Sequence, residues 1–159
     1  MRIAVVGDAP CDPAPIRQAI RRAVRPYGLP RDAEVELAFV SDAEMRALNS
    51  RFRHIDRTTD VLSFGEAIPA RHRGAAALTH IERKRAENGG RFDVGQIVIS
   101  SEQARRQARR RRRPLGDEVA FLAVHGVLHL LGYEDETPAG YREMVRLGHD
   151  AARQNSVKR

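Results

Sequence analysis

The chain has 159 residues, of which 42% are hydrophobic and 31% charged, with a formal net charge of +7. That length suits one domain with a real core, and no stretch approaches a membrane span or the charged-then-apolar start of a secretory leader. The single cysteine, Cys11, excludes an internal disulfide and reads as an inert loop thiol of a cytoplasmic protein.

Taken in chain order, residues 2–7 read as an edge strand, and residues 15–27 as a helix spaced through Ile16, Ile20 and Val24. Val35, Leu37 and Phe39 alternate in a second strand over 34–40. Ser41 opens a helix, with Glu44 completing a capping-box pattern; Met45 and Leu48 point inward, and the helix ends near Phe52. Residues 60–64 and 93–100 supply two more strands. Between them, 65–91 contains Gly74, Gly89 and Gly90 with little periodicity, and reads as a long mobile loop. Helices follow at 101–113, 117–131 and 138–153. Pro114 and Gly116 part the first two, and Pro138 opens the last. The expected fold is α+β: a small mixed sheet of about four strands packed with about five helices.

Charge is uneven along this order. Residues 101–113, SEQARRQARRRRR, hold seven arginines against one glutamate. Such a run produces a steep positive potential that favours a polyanion, so Arg105, Arg106, Arg109, Arg110, Arg112 and Arg113 are candidate RNA-binding residues. Eight aromatic residues, with no tryptophan, favour phosphate contacts over base reading.

The helix that follows carries the most chemistry. Phe121, Val124, Leu128 and Leu131 form one apolar stripe, and Val119, Leu122, Val127 and Leu130 cover most of the rest, so the helix is central and buried. His125 and His129 stand one turn apart on it and face one space. Buried imidazoles need partners, and a divalent ion meets that need. Gly132 lets the chain turn back, which brings a carboxylate over the histidines; Asp135 is the first candidate, then Glu134 or Glu136. Metallopeptidases carry glutamate directly after the first histidine. Gly126 holds that position here, which argues against a peptidase.

Three segments carry a family resemblance. His125-Gly126-Val127-Leu128-His129-Leu130-Leu131-Gly132-Tyr133, then LNSRFRHIDRTTDVLSF over 48–64, and Gly95-Gln96-Ile97-Val98-Ile99-Ser100 resemble, in the same order, the motifs of the YbeY endoribonucleases. Glu134 stands for the family's Asp, Asp135 for its last His and Gln96 for the Asp of its strand motif. The resemblance implies a single-strand-specific, zinc-dependent endoribonuclease of 16S rRNA 3′-end maturation and ribosome quality control. It also implies one ion on His125, His129 and Asp135, and single-stranded ribosomal RNA and the small ribosomal subunit as partners. Arg53 matches the arginine that lines the family's cleft, with Arg51 and Arg57 as neighbouring alternatives. Asp135 in place of histidine makes the ion a weaker Lewis acid and admits harder metals such as manganese. Within the matched segment, Asp60 is expected to order its loop and Ser63 to bond locally. His54, His72, His80 and His149 are expected on the surface.

Overall fold

The computed structural model describes residues 1–66, 68 and 75–153. Its elements run β1 (Arg2–Val6), α1 (Pro13–Val24), a 3-10 turn (Arg25–Tyr27), β2 (Ala33–Val40), α2 (Asp42–Arg53), β3 (Val61–Phe64), α3 (Ala75–Glu87), β4 (Phe92–Ser100), α4 (Ser101–Arg110), α5 (Leu115–Leu130) and α6 (Pro138–Arg153). The α+β reading therefore holds, with β1 at an edge of a sheet ordered β1-β2-β4-β3. The first two pairings are parallel and β3 joins β4 antiparallel, which makes the sheet mixed.

Register explains the core. Val5, Leu37, Ile97 and Ser63 lie in one row across the four strands, so they share a face. That face meets α5, which also packs on α1, α4 and α6. Eleven of the sixteen residues of α5 are buried, as its all-round apolar pattern required. The opposite face shows Ala38, Val98 and Leu62, covered by Met45 of α2. Strands buried on both faces lose clean alternation, and β2 does so from Leu37 to Phe39.

At Gly126 the helix lies directly on the sheet. A Cβ there would stand 2.7 Å from Ile97 Cγ2 and 3.1 Å from Ser63 Oγ. Ser63 donates to the Gly126 carbonyl at 2.9 Å, so its bond spans 63 residues and is not the local one expected. The glycine that argued against a peptidase is thus a close-approach residue, with no room for any side chain.

The 65–91 loop needs correction. Residues Ala75–Glu87 form α3, built of good helix formers that show little amphipathic period; among its described side chains Ile81 alone belongs to the buried hydrophobic core. Charge holds it instead. Arg83 bonds Glu87 one turn on at 2.8 Å, and Arg83 and Lys84 reach Glu66 at 2.5 and 2.6 Å. Ile68, buried, donates its N–H to the Leu130 carbonyl at 2.8 Å and ties the segment to the end of α5. His80 is also not the surface residue expected: its side chain is 9% exposed and lies 3.7 Å from Glu66. His72 lies outside the described residues. His54 is exposed, in the left-handed conformation that caps α2.

Candidate metal centre and cleft

α5 ends in a tight reversal. Gly132 adopts φ of +84°, its N–H donates to the His129 carbonyl, and the Tyr133 N–H donates to the Leu128 carbonyl. A glycine tolerates that conformation best. Tyr133 is buried and shares a short hydroxyl hydrogen bond with Tyr27, which fixes the turn against the start of the chain. Thr137 then caps α6 through the Gly140 N–H at 3.0 Å. Held at both ends, residues 134–136 pass over the histidines.

Asp135 is the carboxylate that arrives. Its Oδ2 lies 3.2 Å from His125 Nε2 and 3.5 Å from His129 Nε2, and the two imidazole nitrogens are 3.1 Å apart. A tetrahedral zinc with ligands at about 2.0–2.2 Å sets neighbouring ligand atoms about 3.3–3.6 Å apart. The three atoms match one face of that tetrahedron, so the residues present fit a metal ion. They are the only group of this kind among the described residues. Glu134 and Glu136 line the same cleft but stay outside the cluster.

The His129 tautomer suits ligation. His129 Nδ1 donates to the Tyr133 carbonyl at 3.0 Å, leaving the Nε2 lone pair toward the cluster, the arrangement by which a second partner orients a metal-binding histidine. Burial, and then the neighbouring His129, lower the pKa of His125; Asp135 and Asp60 pull against that. A neutral imidazole is the form that binds metal.

The cluster forms one wall of a cleft of about 420 Å³, whose other residues include Asn49, Arg53, Arg57, Asp60 and Ser63. Arg53 ends α2, is exposed, and makes no hydrogen bond or ion pair among the described residues. It is available to an anion in the cleft. Arg57 lines the cleft too, whereas Arg51 lies over the Phe52 ring at 5.2 Å and is not among the lining residues.

A polar network that the sequence did not reveal as such shapes the opposite wall. Buried Asn49 donates to the Arg57 carbonyl at 2.8 Å. Asp60 does order its loop: it accepts from the Val61 N–H at 2.8 Å and from Gln107 at 3.0 Å. Asp42 accepts from Ser100, Thr58 and Arg106 at 2.8, 3.2 and 2.7 Å. Arg106 is the largest influence holding Asp42 below the usual carboxylate range, with Ser100 and Thr58 adding to it. Asn49 lies in a motif-like segment, but only its burial identifies it as a brace.

The arginine run fans out. α4 stops at Arg110, and Arg112 takes a left-handed φ of 51°. Arg106 turns to Asp42 and Arg113 to the buried Glu118. Arg105, Arg109 and Arg112 line a separate groove with Leu115, and Arg110 is exposed. Of the six candidates, none lines the metal cleft. His149, expected on the surface, is half-buried on Phe121, with ring centroids 4.8 Å apart.

Comparison with known proteins gives the family and the fold. Residues 12–155 match the family model described as Endoribonuclease YbeY. A protein of that name from Moorella thermoacetica is 40% identical over 129 residues, covering 81% of this chain and 77% of its own length. The Limosilactobacillus reuteri protein of the same name is 33% identical, covering 83% and 80%. A third, from Anaeromyxobacter, is 39% identical over 77% of this chain, which spans about half (54%) of that longer protein. The fold matches the solution structure of a Thermotoga maritima protein with a TM-score of 0.60 at 20% identity, over 97% of this chain and 91% of the other. On the extent of these matches, the chain belongs to the YbeY family.

Proposed function

We propose that this chain is a metal-dependent endoribonuclease that cuts single-stranded RNA, with zinc as the ion. Its proposed substrate is the 3′ region of 16S rRNA on the small ribosomal subunit, in the cytoplasm. The observation that carries the reading is the placement of His125, His129 and Asp135 at ligand distances in a cleft that also holds the unengaged Arg53. The curated relatives are named endoribonucleases. A bound divalent ion would supply Lewis acidity to a water and to a phosphoryl oxygen.

The chain's own residues do the rest. His125 and His129 would hold the ion through Nε2, and the Tyr133 carbonyl keeps the His129 proton on Nδ1. Arg53 pairs with the scissile phosphate and stabilises the charge that builds on its oxygens. Arg57, on the loop braced by Asn49, sits where it can hold a flanking phosphate. The free arginines of the 105–113 segment add a screened, longer-range attraction for the strand.

The test uses a labelled 3′-extended 16S rRNA fragment, single-stranded and annealed to its complement, with chelator and with added zinc or manganese. Cutting of the single strand alone, abolished by chelator and restored by metal, is expected. No cutting, or cutting indifferent to chelator, overturns the reading.

A further inference from the structure

Arg111 and Arg113 both terminate on Glu118, which is fully buried in the first turn of α5. Arg111 Nη1 bonds one carboxylate oxygen at 2.8 Å and Arg113 Nε bonds the other. The left-handed Arg112 between them turns the chain so that both neighbours reach the same group. A non-glycine residue in that region is worth a functional question. The two guanidiniums are fixed by a carboxylate that cancels only one of their charges, and each keeps unused N–H donors.

They open on a recess of about 320 Å³ shared with Phe121, Tyr141, Val145 and His149. Arg113 lies 5.1 Å over the Phe121 ring, and the His149 ring packs on the same ring with centroids 4.8 Å apart. Tyr141 is 54% exposed, and no side-chain hydrogen bond or ring contact engages it among the described residues. Positive charge reaches this floor: after burial, Arg113, Arg153 and Arg111 are what lower the pKa of His149. Phe121 is one helical turn from His125, with ring centroids 6.3 Å apart, so the recess adjoins the metal cluster, and Arg53 is not among its lining residues.

We infer that this recess is a second RNA subsite, which takes one nucleotide flanking the scissile bond: its phosphate on Arg111 and Arg113, its base against Tyr141. The chemistry it recognises is an aromatic ring joined to an anion. Guanidiniums fixed in orientation suit phosphate, and an exposed ring accepts any base by stacking. The inference rests on the endoribonuclease reading for its ligand, but the site would bind a strand whether or not the cleft cuts it.

The experiment measures the Kd of a fluorescently labelled single-stranded RNA 12-mer by anisotropy. It compares metal-loaded wild type, Tyr141→Ala, Tyr141→Phe and Arg111→Gln, with melting temperature as the fold control. Tyr141→Ala is expected to weaken binding about tenfold, within the range for one lost base stack, while Tyr141→Phe binds like wild type. Arg111→Gln is expected to weaken binding and to lower the salt slope by about one. Because Arg111 also holds Glu118, the exposed Tyr141 keeps the test decisive if Arg111→Gln is unstable. Tyr141→Ala binding like wild type overturns the subsite, as does a wild type that binds no RNA. A wild type that binds without cutting, and loses affinity in Tyr141→Ala, supports the subsite while breaking the nuclease reading.

Discussion

The histidine helix and the arginine run are both dense in chemistry, and the structure treats them in opposite ways. On α5 the chain fixes two imidazoles from several sides: Gly126 lies against Ile97, Tyr133 orients His129, and the Gly132 turn delivers Asp135. Along 105–113 no shared core gives the side chains one common direction, although Glu118 fixes Arg111 and Arg113. Arginines leave for Asp42, for Glu118 and for a groove of their own. A periodic pattern inside a core specifies where its side chains go, because only one rotation buries the apolar face. A run of like charges specifies a potential and leaves each side chain to find its own acceptor.

The contrast gives expected effects of falling size. His129→Ala removes a ligand from the rigid region and should weaken metal binding by well over the roughly 100-fold typical of outer partners, read by competition with a chromophoric chelator. Gly126→Val forces a side chain into the space of Ile97 Cγ2 and should cost about 1–3 kcal/mol by overpacking, read from urea midpoints, with metal affinity falling alongside. Arg109→Ala, in the dispersed region, should leave stability and metal content alone and lower the salt slope of RNA binding by about one. An equal loss of stability in Arg109→Ala and Gly126→Val would erase the distinction between the regions.

The smallest effect is in pH. Burial is the main cause that holds His125 and His149 of the metal-free protein below the ordinary histidine value of 6.5. The unfolded chain therefore takes up protons at a pH where the folded chain does not. Their neutral forms favour folding fully above about pH 6.5, and that contribution is lost as pH falls through 6.5 toward the lowered values. Urea midpoints of chelated protein should drop between pH 7.5 and 5.5, and by less in His149→Phe.

The same contrast sets what was legible. The strands, the α5 pattern and the choice of Asp135 ahead of Glu134 and Glu136 follow from period and turn chemistry. Helix α3 was missed because ion pairs to Glu66 hold it more than an apolar stripe does, and sequence period cannot register a distant carboxylate. Ser63 was expected to bond locally because its acceptor, Gly126, is 63 residues away and becomes a neighbour only when α5 packs on the sheet. The brace from Asn49 to the Arg57 carbonyl and the clamp of two arginines on Glu118 were equally hidden. Each depends on which side chains burial strips of water.

The most direct test of the site measures metal content and RNA cleavage on the same preparations of wild type, Asp135→Ala and Arg53→Ala. Asp135→Ala should lose metal and cutting together, whereas Arg53→Ala should keep wild-type metal content and lose cutting. An Asp135→Ala protein that retains both, or an Arg53→Ala protein that cuts at the wild-type rate, would contradict the assignment of the cleft.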